Sequence, residues 1–228
     1  MAQLQRSLFG GGEPAIDPDV AFERIDLDDG AWVEVARGWL RGADTLLEHV
    51  VEHVPWTQGR RWMYDRMLDD PRLSRWYRAR ETPPHPVFVE MGLRLERRYR
   101  VPLGGVGLNY YRDGRDSVAF HRDRELRHLD DTLIAIVTLG ARRPFLLRSR
   151  AGGPSTDLAP ASGDLLVMGG ATQVRYEHAV PKVAHCGPRV SASWRWSSKR
   201  GRPEEGGSWR APRRFGDIAR GERRADRR

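Results

Sequence analysis

Residues 105–123 read GVGLNYYRDGRDSVAFHRD and hold two short apolar runs, 106–111 and 117–122, on either side of the turn Arg112-Asp113-Gly114. Further runs of the same kind follow at short intervals, at residues 132–139, 144–148, 164–168, 174–180 and 189–197. Short runs divided by Gly, Pro and Asp clusters are typical of an antiparallel sandwich or barrel. We therefore predict a mainly β core over residues 105–198.

The chain before this core has helical patterns. Residues 42–54 carry Leu and Val at helical spacing, with Asp44 as a candidate N-cap, and a second helix is predicted after Pro86. The sequence around residues 56–80 mixes aromatic residues with Arg and gives no periodic pattern. We interpret residues 31–104 as a helical region packed on the core. The predicted fold class is mixed α+β, mainly β.

Length and composition limit the class of protein. The 228 residues, 39% of them hydrophobic, are enough for one sizeable core. The longest apolar run, at residues 133–140, is too short to cross a bilayer, and the first residues lack the pattern of a secretory signal. The single cysteine, Cys186, rules out an internal disulfide and fits a reducing compartment. We expect a cytoplasmic, monomeric protein with no membrane partner.

The two ends of the chain differ from the middle. Residues 1–30, rich in Gly, Pro and Asp, are expected to form an irregular lead-in. Residues 199–228 hold 11 basic and 5 acidic residues, a net charge of +6 out of +8 for the whole chain. We predict that this basic tail is disordered and adds salt-sensitive affinity for phosphate backbones. The alternative is a solubilising extension of a chain whose 39 basic residues include 37 Arg.

Two His-x-Asp motifs are candidates for metal binding. His121 and Asp123 end an apolar run, and on a strand their side chains would point to the same side. A distant His178 could complete a set of two His and one carboxylate, which suits non-heme Fe(II). The second motif, at residues 128–130, lies in a charged stretch and is interpreted as a solvated turn.

Two strands place polar residues on a shared face. Residues 189–196 read RVSASWRW, so that Arg189 and Arg195 lie on one polar side of a strand. A buried guanidinium is costly unless it meets an anion, and it offers a carboxylate a bidentate fork. The alternative is an exposed face paired with nearby Asp or Glu. Asn109 and Tyr111 share a face in the same way, with an ordinary half-buried strand as the alternative.

Together these pieces resemble the AlkB family of Fe(II)- and 2-oxoglutarate-dependent dioxygenases. The matching text runs in order through residues 105–197: Asn109-x-Tyr111-x-Asp113-Gly114, His121-x-Asp123-x-Glu125, Thr138-Leu139-Gly140-Ala141-x-Arg143-x-Phe145, Gly163-Asp164-Leu165-Leu166-Val167-Met168, Gly170-Ala171-Thr172-Gln173, His178-x-Val180-Pro181-Lys182, and Pro188-Arg189-Val190 through Arg195. Each piece is short, but the ordered set is specific. The resemblance implies a double-stranded β-helix, a jelly-roll barrel, with flanking N-terminal helices.

The resemblance also implies a role for each matching position. The positions of the catalytic iron ligands are His121, Asp123 and His178. The positions that bind the cosubstrate 2-oxoglutarate are Asn109, Tyr111, Arg189 and Arg195. Of the two arginines, Arg189 would bind the distal carboxylate and Arg195 would lie near the metal-bound end. The implied cofactors are Fe(II), 2-oxoglutarate and O2.

For the family, the substrate is an alkylated base in DNA, of the 1-methyladenine or 3-methylcytosine type, and the products are formaldehyde and succinate. A flipped base needs an aromatic platform. The resemblance thus implies that residues 31–104 are also the nucleotide-recognition region. The candidates for the platform are Trp62, Tyr64, Trp76 and Tyr77, each with core packing as the alternative. Glu125 matches the acidic position that contacts the base edge, with a surface salt bridge as the alternative. Candidate phosphate contacts are Arg60, Arg61 and Arg66, which could equally be solvated loop charges.

The sequence therefore predicts oxidative repair of alkylated DNA. A second interpretation keeps the same iron chemistry and applies it to RNA, a protein or a small molecule. A third, of a different class, is an inactive barrel that binds nucleic acid through its basic tail. The presence of all three candidate iron ligands and both arginines disfavours it.

Overall fold

The computed structural model describes residues 11–63 and 65–198. The helices of this part are α1 (Ala43–His53), α2 (Val87–Tyr99) and α3 (Thr172–Arg175). Its strands are β1 (Ala15–Ile16), β2 (Glu23–Asp26), β3 (Ala31–Ala36), β4 (Leu40–Arg41), β5 (Thr57–Met63), β6 (Arg66–Arg78), β7 (Gly105–Tyr111), β8 (Val118–His121), β9 (Thr132–Gly140), β10 (Leu146–Ser149), β11 (Thr156–Asp157), β12 (Leu165–Gly170), β13 (Tyr176–Val180) and β14 (Arg189–Ser197).

Two sheets form the body of the described chain. The large sheet has the order β2-β3-β12-β9-β14-β7-β6-β5, and the small sheet has the order β11-β10-β13-β8. Neighbouring strands in both sheets are antiparallel. The two sheets pack face to face across a shared apolar core in the manner of a jelly roll. The mainly β, jelly-roll prediction is confirmed.

The large sheet separates two apolar clusters. One lies on its helix side and takes Leu46 from α1, Met91 from α2 and Val137 from β9. The other lies between the sheets and takes Ile136 from β9 and Leu147 from β10. Because successive side chains of β9 point to opposite faces and both faces are covered, this strand is apolar at nearly every position.

The predicted strand runs after residue 105 correspond to seven observed strands, β7, β8, β9, β10, β12, β13 and β14. The alternation in β14 is also confirmed. Val190, Ala192 and Trp194 lie in the helix-side cluster, while Ser191 and Ser193 face the opposite side of the sheet. The face carrying the serines is the one that lines the cleft described below.

The region at residues 31–104 differs from the prediction because it is only partly helical. Both predicted helices are present as α1 and α2, but β3 joins the large sheet beside β12, and β5 and β6 extend its other edge as a hairpin. The hairpin was missed because its many Arg and Asp residues interrupt the alternation of apolar and polar residues that predicts a strand. Strands β1 and β2 lie in the expected irregular lead-in, whose first ten residues fall outside the described chain. The predicted disordered tail, residues 199–228, also lies outside it.

The predicted cap of α1 is wrong. Gly42 occupies the N-cap position, with a φ of 65° that suits glycine, and Asp44 lies inside the first turn. There the Asp44 carboxylate accepts a hydrogen bond of 2.7 Å from Ser162 Oγ, which ties the start of the helix to the loop before β12. Within the described residues, each helix is too short or too polar to cross a membrane.

Candidate active site

Three of the predicted side chains converge at the open end of the small sheet. His121 ends β8 and lies directly across from His178 on β13, and Asp123 follows two residues later. One ligand atom from each residue lies within 4.8 Å of the other two, and this is the one such group of three found in the described chain. Asp123 Oδ1 is 3.6 Å from His121 Nε2 and 3.9 Å from His178 Nε2.

The charge states of His178 and Asp123 suit a divalent metal ion. Burial, reinforced by nearby His121, lowers the pKa of His178 to about 3, so that its imidazole is neutral at pH 7. Burial alone would raise the pKa of Asp123, but Arg195 and the two histidines hold it well below its usual range. His121 Nδ1 donates to the Ala119 carbonyl over 2.9 Å, so that in the neutral imidazole the lone pair lies on Nε2. Metal ligands need these deprotonated forms.

Other side chains hold the triad in place. Arg195 Nε donates to Asp123 Oδ2 over 2.6 Å, and the Asp123 backbone N–H donates to Gln173 Oε1 over 2.9 Å. The ring of Phe145 stacks on His178 with 5.6 Å between centroids and 9° between planes. Such partners fix the orientation of ligands. Arg195 was expected to lie near the metal-bound end of the cosubstrate, and the structure places it beside the candidate iron ligand Asp123.

Arg189 is fully buried and incompletely paired. Its NH2 donates to Thr138 Oγ1 over 3.2 Å, while Nε and NH1 have no hydrogen-bond partner among the described residues. Burial lowers the pKa of this guanidinium to about 10, which still leaves it charged at pH 7. A buried cation with two unused donors is costly unless an anion binds to it. A carboxylate binds a guanidinium through two neighbouring N–H groups, and NH1 offers such a pair together with the remaining N–H of NH2.

A cleft opens beside the triad, between the two sheets. Asn109 and Tyr111 from β7 line it, as predicted for the cosubstrate site. Half-buried Trp76 from β6 and exposed Glu125 from the loop after β8 line it as well. The cleft therefore brings together the metal-ligand triad, polar strand residues, an aromatic ring and a carboxylate.

The remaining substrate candidates lie elsewhere. Tyr77 is 6% exposed and packs in the helix-side cluster, so for this residue the structure supports core packing. Trp62 is 66% exposed near the end of the β5–β6 hairpin, outside the cleft lining. Tyr64 falls outside the described residues, and nothing is described for the side chain of Arg61. Arg60 forms an exposed ion pair of 3.1 Å with Asp69.

The sequence analysis missed Arg72. This residue of β6 lines the cleft, and its Nε donates to Asn109 Oδ1 over 3.0 Å. It also contributes to lowering the pKa of His178, so it lies close to the triad. The available signal was the period-two pattern of Arg72, Ser74 and Trp76, which predicts one polar strand face.

Comparisons with known proteins agree with this geometry. The model of the 2OG-Fe(II) oxygenase superfamily matches residues 43–204. The mouse alpha-ketoglutarate-dependent dioxygenase alkB homolog 3 is 33% identical over 187 residues, and its human counterpart is 32% identical over 187 residues. Each of these alignments covers 72% of this chain and 65% of the relative, so the chain spans less than two thirds of their length. Human DNA oxidative demethylase ALKBH2 is 35% identical over 97 residues, which are 39% of this chain and 37% of that protein.

A solved structure shares the fold. It is a prolyl hydroxylase from Trichoplax adhaerens, in complex with a hypoxia inducible factor oxygen degradation domain peptide fragment. The TM-score is 0.53 at 10% sequence identity, and the match covers 77% of this chain and 83% of that one. At this identity the likeness concerns the fold alone.

Proposed function

Since the chain belongs to the 2OG-Fe(II) oxygenase superfamily, we propose that it is an Fe(II)- and 2-oxoglutarate-dependent dioxygenase that removes alkyl groups from nitrogen atoms of DNA bases. The substrates would be lesions of the 1-methyladenine and 3-methylcytosine type, and the biological role would be the repair of alkylation damage. Similarity to proteins named alkB homolog 3 and DNA oxidative demethylase ALKBH2 supports this proposal.

The residues present fit the implied cofactors. Two histidines and one carboxylate are the ligand set typical of non-heme Fe(II) oxygenases. The unused nitrogens of buried Arg189 fit one carboxylate of a dicarboxylic acid. When bound, Fe(II) with 2-oxoglutarate and O2 supplies the oxidation that hydroxylates the alkyl carbon, with succinate and CO2 as coproducts and formaldehyde as the form in which a methyl group leaves.

The chain supplies position and charge for this chemistry. His178 presents a neutral nitrogen and Asp123 an ionised oxygen, so that neither has to lose a proton before the metal binds. Arg189 binds the distal carboxylate of 2-oxoglutarate, and Asn109 and Tyr111 line the space beside it.

The observation that carries the choice of substrate is the position of Trp76 and Glu125 on the wall of the same cleft as the triad. A lesion that blocks base pairing costs less to flip out of a helix than a normal base. Trp76 offers the flipped base a stacking surface, and Glu125 accepts a hydrogen bond from an exocyclic amine. Trp62, which lies across from Met67 near the end of the hairpin, would contact the neighbouring nucleic acid; both side chains are exposed.

The test is a formaldehyde-release assay with Fe(II), ascorbate, O2 and 2-oxoglutarate. A methylated single strand, the same strand in a duplex, and a methylated RNA are compared, with unmethylated strands as controls. We expect turnover on methylated DNA and none on the controls. Turnover on RNA alone would show that RNA is the substrate. No turnover on any of these strands, although the metal and 2-oxoglutarate bind, would indicate a protein or a small molecule as the substrate.

A further inference from the structure

Arg143 is a buried cation outside the site described above. The residue is 1% exposed and lies in the loop between β9 and β10. Its NH1 donates to the Asp113 carbonyl over 3.1 Å, and its NH2 donates to the Asp116 carbonyl over 2.8 Å and to the Pro181 carbonyl over 2.7 Å. One guanidinium thus joins the β7–β8 turn to the loop that follows β13.

The two segments that Arg143 joins both adjoin the pair formed by Tyr111 and Arg189. Tyr111 is the last residue of β7, Arg189 is the first residue of β14, and the two lie directly across from each other. The Cζ atoms of Arg143 and Arg189 are 5.5 and 5.6 Å from the centroid of the Tyr111 ring. Burial lowers the pKa of Arg189, and the positive charge of Arg143 adds to this effect. Arg143 is therefore a direct neighbour of the residues assigned to the cosubstrate.

Backbone contacts bring the same segments together. The Val183 N–H donates to the Gly114 carbonyl over 2.9 Å. Gly114 allows this approach, because a Cβ at that position would come within 2.2 Å of the Val183 carbonyl oxygen. The Ala141 N–H, in the loop that carries Arg143, donates to the Pro188 carbonyl over 3.0 Å. Three loops are thus connected at the place where β7 ends and β14 begins.

We propose that Arg143 is a positioning residue for the cosubstrate, which keeps Arg189 and Tyr111 at a fixed spacing and thereby sets the length of the dicarboxylic acid that the cleft accepts. An arginine suits this role, because its planar guanidinium holds several carbonyl acceptors in one geometry. A binding residue discriminates between ligands of different length only when its own surroundings are rigid. The inference rests on the proposed function, because it concerns the cosubstrate of that reaction.

The test compares two dicarboxylic keto acids that differ by one methylene group, 2-oxoglutarate and the longer 2-oxoadipate. Their Kd values are measured by isothermal titration calorimetry on the full chain loaded with Mn(II), without turnover. A site of fixed length should prefer 2-oxoglutarate about 10- to 200-fold, the range typical of one methylene group. Arg143→Met should reduce this preference at least about fivefold, because Arg189 and Tyr111 lose their fixed spacing.

The matched control for stability is Arg98→Met. Arg98 of α2 pairs with buried Glu34 on β3, so this variant also loses a largely buried set of hydrogen bonds. Its melting temperature should fall as well, because the Glu34 carboxylate is left buried without this partner. The preference for 2-oxoglutarate should stay within about twofold of the unaltered protein.

Two further variants keep the test decisive if Arg143→Met is unfolded. Arg143→Lys keeps the positive charge but loses the planar set of donors, and its preference for 2-oxoglutarate should lie between those of Arg143→Met and the unaltered protein. Gly114→Ala leaves Arg143 in place and forces the Val183 carbonyl away from the β7–β8 turn. It should reduce the preference as well, because it separates the same two segments.

The proposal is overturned if the folded Arg143 variants have a lower melting temperature but the same preference as Arg98→Met. In that case the hydrogen bonds of Arg143 contribute to stability alone. It is also overturned if the unaltered protein binds the two keto acids equally well. Failure of the unaltered protein to bind 2-oxoglutarate at all is a different result, because it contradicts the proposed function itself.

Discussion

Arg195 Nε donates to Asp123 Oδ2 over 2.6 Å, and this pair joins the last strand of the large sheet to the metal-ligand triad. Both side chains are largely buried. The second oxygen of the carboxylate, Oδ1, is the one that faces the two histidines. The two oxygens of Asp123 therefore have different roles. Oδ2 is held by Arg195, and Oδ1 is left to bind a metal ion.

Arg195→Met should weaken metal binding about 10- to 100-fold, as the loss of a partner that orients a ligand commonly does. Without the guanidinium, burial would raise the pKa of Asp123, so that protons compete with the metal. The affinity for Mn(II) should then fall more steeply between pH 7 and pH 5 in the variant than in the unaltered protein. Calorimetric titration with Mn(II) measures both effects. Arg189→Met is the control, and equal affinities for all three proteins would show that Arg195 has no such role.

The two His-x-Asp motifs can be separated by mutation. His121→Ala removes a ligand of the triad and should abolish metal binding and formaldehyde release, with little change in the melting temperature. His128→Ala alters an exposed ring that contacts the neighbouring Arg127 side chain, and activity should stay within about twofold. Loss of activity in the His128 variant alone would mean that the wrong motif has been assigned to the metal.

A carboxylate outside the site links β3 to the end of α2. Glu34 is buried and accepts hydrogen bonds from Arg98, at 3.1 and 3.2 Å, and from the Tyr99 hydroxyl. Glu34→Ala should lower the free energy of unfolding by about 1–3 kcal/mol, because the hydroxyl of half-buried Tyr99 loses its partner. Urea denaturation measures this change.

The matched control is Glu90→Ala, which removes an exposed i,i+4 pair with Arg94 on the same helix. Its expected effect is below about 0.5 kcal/mol, as is usual for surface ion pairs. If the two variants are equally stable, the contacts of Glu34 contribute no more than a surface pair does.

The core of the fold could be predicted because apolar and polar residues alternate along its strands. In β14, Val190, Ala192 and Trp194 face the helices while Ser191, Ser193 and Arg195 line the cleft, and the same period of two assigns the face of Arg189. The ordered motifs predicted the family, and the relatives named as AlkB homologues confirm that resemblance. The triad converges because His121 and His178 are cross-strand neighbours, which the resemblance implied and the register shows.

The rest of the site depends on contacts between residues that are far apart in the sequence. Arg195 and Asp123 are separated by 72 positions, and Arg72 and Asn109 by 37. Strand alternation gives the side on which each arginine lies, but not the partner that it meets there. The β5–β6 hairpin was missed for a related reason. Its strands are held together by backbone hydrogen bonds, and their Arg-rich side chains show no alternation of apolar and polar residues that would predict strands.

Trp76 and Tyr77 are adjacent aromatic residues for which the structure predicts opposite effects. Trp76 lies on the cleft side of β6, and Gly107 on the next strand makes room for it, because a Cβ there would come within 2.7 Å of the ring. Tyr77 points into the helix-side core. Trp76→Ala should raise the KM for a methylated oligonucleotide by the equivalent of about 1–3 kcal/mol of lost stacking, with 2-oxoglutarate binding unchanged.

Tyr77→Ala should instead lower the melting temperature by several degrees, through the cavity that it leaves in the core, with little effect on the KM of the folded fraction. Gly107→Ala tests the position of the ring without removing it. The added methyl group has to displace Trp76, so the KM for the oligonucleotide should rise in this variant too. A normal KM in both the Trp76 and the Gly107 variants would mean that the base does not stack on this ring, and the exposed Trp62 would become the aromatic contact to test.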